Sequence, residues 1–279
     1  MSLAYDEMIQ PELIEKVIRR YIVRKPILPV TDFNFVHVVR SSPNNLYPGE
    51  VFKNVSRCSY NPKPETISLQ RCNYEKQQVF YAAVASGKTF KATGTAFMET
   101  GFSYAKDKNV SRMYFTLSRW ELSRPLRMFV LPFSKRSTRN NDDFKMMNKH
   151  FRKLLRQAAA YYNEDPTDIE EFLKFISHVY TSPFRKKHYY KISSAFFNAI
   201  MYYGEEIDGL IYPSAMTRAE GMNIAVRKDL IDQQVLNCDL AVMFAMQRTP
   251  GKVKDVSFMK ASSVAYPDRK GNLKFEYIY

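Results

Sequence analysis

Residues 142 to 203 hold three successive stretches in which apolar side chains recur every three or four positions, the spacing that an α-helix turns to one side. In the first, between Asp142 and Tyr162, the residues Phe144, Met147, Phe151, Leu154, Leu155 and Ala158 form a single stripe. The second opens on Asp165, a capping residue, and Pro166, suited to a first helical turn; Ile169, Phe172, Leu173 and Ile176 then make its buried face. The third begins near Ser193 and turns Ile192, Ala195, Phe196, Ala199, Ile200 and Tyr203 inward. Three amphipathic helices in a row need a shared apolar surface, and the strand-like segments on both sides of them supply a sheet. Helices gathered in the middle with strands at both ends read as α+β rather than as alternating βαβ units.

The flanking segments can be placed coarsely. "PELIEKVIRRYIVRK" (11 to 25) sets Leu13, Ile14, Val17, Ile18 and Tyr21 at helical spacing between Pro11 and Pro26, so residues 1–32 read as an N-terminal helical extension and 33–279 as one domain. "FNFVHVVR" (33 to 40) alternates like a strand and delivers Arg40 to its end. Residues 41 to 78, rich in Ser, Pro, Asn and charge, predict a long loop, and loops of that length usually carry function. "VFYAAVA" (79 to 85) is β-prone, while "TFKATGTAFMETGFSYA" (89 to 105) opens either a helix or an irregular segment. "RMYFTLSRWEL" and "PLRMFVLPF" predict a hairpin over 112 to 133. "DGLIYPS" (208 to 214) is a short strand stopped by Pro213, "NIAVRKDLI" (223 to 231) resumes, and "VSFMKASSVAY" with "LKFEYIY" reads as a closing hairpin about the turn "DRKGN".

The 279 residues, 45% hydrophobic and 14% aromatic, are ample for a packed core. No apolar run approaches the roughly 18 to 20 residues of a membrane span. "MSLAYDEMIQ" carries Asp6 and Glu7 where a secretory signal needs a basic start and an apolar block, so the expected compartment is the cytoplasm. Three scattered cysteines (Cys58, Cys72, Cys238) give no disulfide framework and are expected to be reduced, buried, small apolar residues. Neither they nor the four histidines have the close spacing of a zinc site, and no metal is expected.

The net charge of +14 attracts anions: nucleic acid, a nucleotide or an acidic protein. The excess gathers in "SKRSTR" (134 to 139), in Lys145, Lys149, Arg152, Lys153 and Arg156, and in "FRKKHYYK" (184 to 191). Such runs are either solvated helix faces or a binding surface. Nucleic acid is the less expected partner, because aromatic residues do not interleave with the basic clusters in a recognisable motif.

The loop read at 41 to 78 contains Arg-Cys-polar-Tyr twice, at Arg57 to Tyr60 and at Arg71 to Tyr74. The chain has no phosphate-cradling G-x-x-x-x-G-K-[ST] or G-x-G-x-x-G segment and only nine glycines, so arginines would have to hold any bound phosphate. Guanidinium forks match phosphate oxygens two at a time, and Arg40, Arg57 and Arg71 at strand ends and loop shoulders would suit a pyrophosphate; equally, each could pair with a surface carboxylate. No G-x-S-x-G elbow and no histidine beside a nucleophile is found, which disfavours a triad hydrolase. Glu99 lies among Ala96, Phe97 and Met98, either as a partly buried functional acid or as a helix-terminus carboxylate.

Two stretches taken together are more specific. "RCNYEKQQVFYAA" (71 to 83) resembles the Arg-x-Asn stretch and Phe-Tyr strand of the RES-domain family. "DGLIYPSAMTRAEGMNIAV" (208 to 226) resembles that family's second signature, Tyr-Pro-Ser followed by a glycine and Asn-x-Ala. Order and separation also fit, and the resemblance covers about 36 to 230, leaving out the N-terminal helix and the C-terminal hairpin. It implies an ADP-ribosyltransferase-like split β-sheet core with a helical insert, and an enzyme that consumes NAD or transfers its ADP-ribose, often a toxin restrained by an antitoxin or other inhibitor protein. By position, the resemblance assigns roles to Arg71, Tyr81, Glu99 and Ser214, and to Arg40 and Asn223 in holding the dinucleotide. The match at Glu99 requires "SGKTFKATG" (86 to 94) to be an insertion. Arg57 and Tyr60, in the neighbouring Arg-Cys copy, extend the expected site.

The expected chemistry is cleavage of the nicotinamide–ribose bond of NAD, with water or phosphate as acceptor. A second expectation keeps the site but transfers ADP-ribose to a protein or nucleic acid, and a third is a non-catalytic nucleic-acid-binding module.

Overall fold

The computed structural model describes residues 9–24, 30–34, 37–44, 51–84, 92–105, 112–139, 142–182, 187–202, 207–248 and 256–278. In chain order the elements are α1 (Pro11–Arg24), β1 (Val30–Phe33), β2 (Val38–Pro43), β3 (Val79–Val84), α2 (Ala92–Ala105), β4 (Arg112–Leu122), β5 (Leu126–Val130), α3 (Lys135–Arg139), α4 (Asp142–Tyr162), α5 (Pro166–Thr181), α6 (Lys187–Met201), β6 (Gly209–Pro213), β7 (Met222–Arg227), α7 (Asp229–Asp232), β8 (Leu236–Arg248) and β9 (Val256–Ala265). The chain is α+β, with one nine-stranded sheet in the order β1-β5-β6-β7-β3-β2-β4-β8-β9. Among the described residues only β5 and β6 run parallel, because α3 to α6 form the crossover that a parallel pair requires.

The central strands are buried on both faces, and their side chains alternate between two cores. Val79, Phe129, Leu131, Leu210, Tyr212 and Ala225 face the layer made by α1, α4, α5 and α6. Their neighbours Phe80, Met128, Val130, Ile211, Ile224 and Val226 face the opposite layer, built from Phe52, Trp120, Phe144 and the chain around Leu230 to Leu236. The helices form where the 3.6-residue spacing places them: Phe144, Phe151 and Leu155 of α4 and Ile169, Leu173 and Ile176 of α5 are buried. Asp165 caps α5 by accepting from the Thr167 amide at 2.8 Å. Ile18 and Ile22 of α1 enter the same core, and β1 runs through residue 32 to pair with β5.

Two expectations are corrected. The stretch from 33 to 40 is not one strand but parts of β1 and β2, which lie in different regions of the sheet. β4 and β5 do not form a hairpin: β4 lies between β2 and β8, and β5 between β1 and β6. The three residues between them steer the chain away. Ser123 donates its amide to the Val235 carbonyl at 2.9 Å, Arg124 grips the buried Asp208 at 2.6 and 2.9 Å, and Pro125 cannot donate. The segment 89 to 105 resolves as the helix α2 over its described part, and α6 begins at Lys187 rather than near Ser193. The closing hairpin is present in loose form, with Ser263 and Ile278 amides bonded to the Glu276 and Ala261 carbonyls about a turn in which Gly271 takes φ +76°. Tyr203 lies outside the described residues.

Where β2 meets β3 the sheet nearly parts. Their register comprises Val38↔Val84 and Val39↔Ala83 alone, whereas β2 pairs with β4 from Val38 to Pro43 and β3 with β7 from Val79 to Val84. A seam therefore opens beyond Val39, and α2 lies across it against both strands: Ala92 and Ala96 pack on Val39 and Ala83.

Candidate active site

A cavity of about 460 Å³ lies at this seam, lined by side chains from β2, β3, β6, β7, α2, α6 and the loop before β3. That size is within the usual range for small-molecule sites. Strand alternation decides which residues reach it. Tyr212 stands opposite Asn223 across β6 and β7, and Tyr81 stands opposite Ala225, two residues along β7 from Asn223, so all three share the face covered by the helices.

Glu99 is set by α2. Small residues at Ala92, Thr95 and Ala96 repeat at helical spacing and bring the helix close to the sheet, and Glu99 follows one turn later on that face. The approach is close enough that Gly221, after β6, has no room for a side chain: a Cβ there would stand 2.4 Å from Thr95 Oγ1. The Glu99 Oε1 accepts from Ser214 Oγ at 2.5 Å and from Asn223 Nδ2 at 2.7 Å. Ser214 is fully buried and ends β6; its amide in turn bonds to the Gly221 carbonyl at 2.8 Å. One carboxylate oxygen is thus fixed from two elements, and no described residue donates to Oε2. Among the described residues no cation forms a salt bridge with Glu99, although Arg40 and Arg71 line the same cavity.

Arg71 is buried and anchored: Nη1 donates to the Tyr180 carbonyl at 2.5 Å and Nη2 to the Ser182 carbonyl at 3.2 Å, at the C-terminal end of α5, where carbonyls lack helical partners. Its guanidinium carbon stands 5.4 Å from the Tyr190 ring centre. Tyr81 fastens the same loop, donating to Asn73 Oδ1 at 2.8 Å and accepting from the Cys72 amide at 2.9 Å. Burial holds the Tyr81 and Tyr212 hydroxyls well above the ordinary tyrosine value. Tyr190 is also raised, first by burial, with the Glu99 charge adding to the rise and Arg71 opposing it.

Arg40 sits in the seam itself. Its Nη1 donates to the Tyr81 carbonyl at 2.8 Å, spanning the gap where ladder bonds between β2 and β3 have ended, and its guanidinium lies 5.4 Å from the Phe80 ring centre. Its Nε is buried with no partner, and burial lowers its pKa to about 10. Arg40 is not at a strand end, as expected, but in the middle of β2.

The structure therefore gathers Arg40, Arg71, Tyr81, Glu99, Ser214 and Asn223 around one cavity. Arg57 and Tyr60 are not with them. The guanidinium of Arg57 lies 4.9 Å from the Phe52 ring centre, and the Tyr60 hydroxyl donates to Asp232 Oδ1 at 2.7 Å, beside Lys228. The physical reason is that the two Arg-Cys copies serve opposite sides of the sheet: Cys58 buries in the core with Phe80, Cys72 in the helical core with Tyr180. Their sequence likeness is not a spatial one.

Sequence reasoning missed Tyr190 and Tyr212, and with them the Ser41–Thr100 hydroxyl pair at 2.6 Å on the cavity's far wall. Tyr212 was within reach, since it is part of the Tyr-Pro-Ser signature. Tyr190 is hidden in the basic run at 184 to 191, where charge masks a ring that lines the cavity.

Among the described residues no group of three or more His, Cys, Asp or Glu could hold a metal ion, and no helix is long and apolar enough to cross a membrane. No protein-family model matches the chain, and no curated protein matches it at a significant level. Chemically, the cavity offers one fixed carboxylate, two guanidinium groups and several aromatic faces in a partly enclosed space.

Proposed function

We propose that the chain is an NAD-consuming enzyme of the RES type, cleaving the bond between nicotinamide and ribose, and that its sheet is an ADP-ribosyltransferase-like split core. The observation that carries this reading is the carboxylate of Glu99, held by Ser214 and Asn223 within the cavity that Arg40, Arg71 and Tyr81 also line. Glu99 meets Ser214 and Asn223 across 115 and 124 positions of sequence, and Arg71 and Tyr81 line the same cavity as Asn223, which supports reading the two stretches as parts of one site. The parting of β2 from β3 after Val39 supports the split-core reading.

In this reaction the C1′–N bond breaks with its electron pair going to nicotinamide, which leaves neutral and needs no acid. The sugar carbon passes through an oxocarbenium-like state. Glu99, with one oxygen pinned and the other accepting from no described residue, favours that positive charge or bonds the ribose hydroxyls that precede it. Arg71 and Arg40 hold the pyrophosphate, and Tyr81 and Tyr190 offer faces for nicotinamide or the sugar. Water or phosphate then adds to C1′ through oxygen, releasing its proton to solvent.

Incubating the purified protein with NAD and following nicotinamide by chromatography tests the reading. Release is expected, and Glu99→Gln, which keeps the shape but not the charge, should lower turnover by about 10²- to 10³-fold, the usual effect of removing one electrostatic stabiliser. Absence of any nicotinamide release, or undiminished turnover in the variant, would count against it.

A further inference from the structure

A second cavity, larger than the one at the seam, lies on the helical side of the molecule. A groove of about 1570 Å³ runs between α3, α4 and α5, floored by Pro132, Phe133 and the stems of long side chains. Lys135, Lys145, Lys149, Lys153 and Arg156 line it, against a single lining carboxylate, Asp142. Four of these follow one another along α4 at steps of about one helical turn, so that positive charges recur roughly every 5 to 6 Å over about 16 Å. Two further cations that line the groove behave differently: Arg152 and Lys174 both pair with Glu170, at 3.7 and 2.8 Å. Among the described residues, none of the five forms a salt bridge. The sequence thus concentrates like charges on one surface where ordinary solvated helices intersperse both signs, and an anion spanning the row would relieve the repulsion.

We propose that this groove binds the phosphate backbone of a single-stranded nucleic acid. The row consists mostly of lysines, point charges with no demand for a fixed fork geometry, which suits a line of single charges at regular intervals better than the irregular carboxylates of a protein surface. His150 and His178, both exposed at the groove, present flat faces on which unstacked bases can rest. The C-terminal end of α5 serves both places: Ser177 and Thr181 line the groove, while the carbonyls of Tyr180 and of the following Ser182 hold Arg71 at the seam cavity. Binding in the groove does not rest on the NAD reading.

Fluorescence anisotropy with a labelled 12-nucleotide RNA of mixed sequence, from about 50 to 200 mM salt, tests the proposal. Five phosphate contacts predict a slope of log affinity against log salt near −3.5, since each contributes about −0.7 on a single strand. The triple variant Lys149→Ala, Lys153→Ala, Arg156→Ala should bind at least tenfold more weakly and flatten the slope by about 2. The pair Lys149→Arg, Lys153→Arg should retain binding, which separates lost charge from lost folding, and single-stranded DNA binding equally well would also support the assignment. Unchanged binding by the triple variant overturns the proposal. So does competition by polyglutamate or duplex RNA as effective as that of the single strand.

Discussion

Tyr81 illustrates how a cavity wall and a structural tie share one side chain. Its ring faces the cavity, while its hydroxyl closes two hydrogen bonds to the loop that presents Arg71. Replacing it with Phe keeps the ring and strips both bonds, leaving the buried Cys72 amide and Asn73 carbonyl oxygen to find other partners. The expected cost is about 1 to 3 kcal/mol, read as a lower midpoint in urea unfolding, with turnover reduced because Arg71 loses its mount. A variant as stable as the parent would mean that the loop is held by Arg71 and its two carbonyls alone. At this scale the sequence singled out residues that the fold brings together: Glu99, noted for its apolar neighbours, meets Ser214 and Asn223 of one distant stretch in a single hydrogen-bonded cluster. It misled where short segments merely look alike. Arg57 and Arg71 sit in similar tetrapeptides, but which side of a sheet a loop residue packs on depends on distant partners such as Phe52 and Tyr180, and these leave no trace in the tetrapeptide.

Among the elements, α2 matters most for the site, because it alone carries the carboxylate. Its distance from the sheet is set by the contact between Thr95 and Gly221. Gly221→Ala is expected to push the helix outward and weaken the bonds from Ser214 and Asn223 to Glu99, lowering turnover tenfold or more with only a modest fall in melting temperature. Adding Thr95→Ala removes the obstructing hydroxyl and methyl and should restore much of the loss. If the double variant is no better than the single one, the glycine matters for its backbone rather than for the space it leaves. The helices were readable because their periodicity is internal to each segment, and α1, α4 and α5 fall where spacing places them. Strand partnership was not, since β4 and β5 are each β-prone and adjacent in sequence, and their separation rests on Ser123, Arg124 and Pro125 meeting Val235 and Asp208, residues far along the chain.

At the scale of the whole molecule, burial of weak acids sets how the fold responds to alkali. Burial pushes the Cys58 and Cys72 thiols up to about 12 from an ordinary 9.0, and raises the Tyr81, Tyr180 and Tyr212 hydroxyls well above 10.0. A group whose pKa is raised by folding contributes stability that is complete below its unfolded value and is lost as pH climbs toward the folded one. The melting temperature should therefore fall steadily from pH 9 upward, with the tyrosines steepening the fall beyond pH 10. Arg40, lowered to about 10, acts with the opposite sign above that pH and is outnumbered. The double variant Cys58→Ala, Cys72→Ala should start from a lower melting temperature and show a shallower decline between pH 9 and 11. An equally steep decline would assign the alkaline loss to the tyrosines together with Cys238, whose thiol burial also raises.

The seam between β2 and β3 divides the sheet into β1, β5, β6, β7 and β3 on one side and β2, β4, β8 and β9 on the other. The chain passes back and forth across that line, from β1 to β2, to β3, to β4, to β5, and again from β7 to β8. Neither half is a continuous piece of the gene. A crossover or insertion event in the interleaved region could not transplant one half intact, so variation of the binding cleft in descent must proceed by point changes and by lengthened connections rather than by exchange of modules.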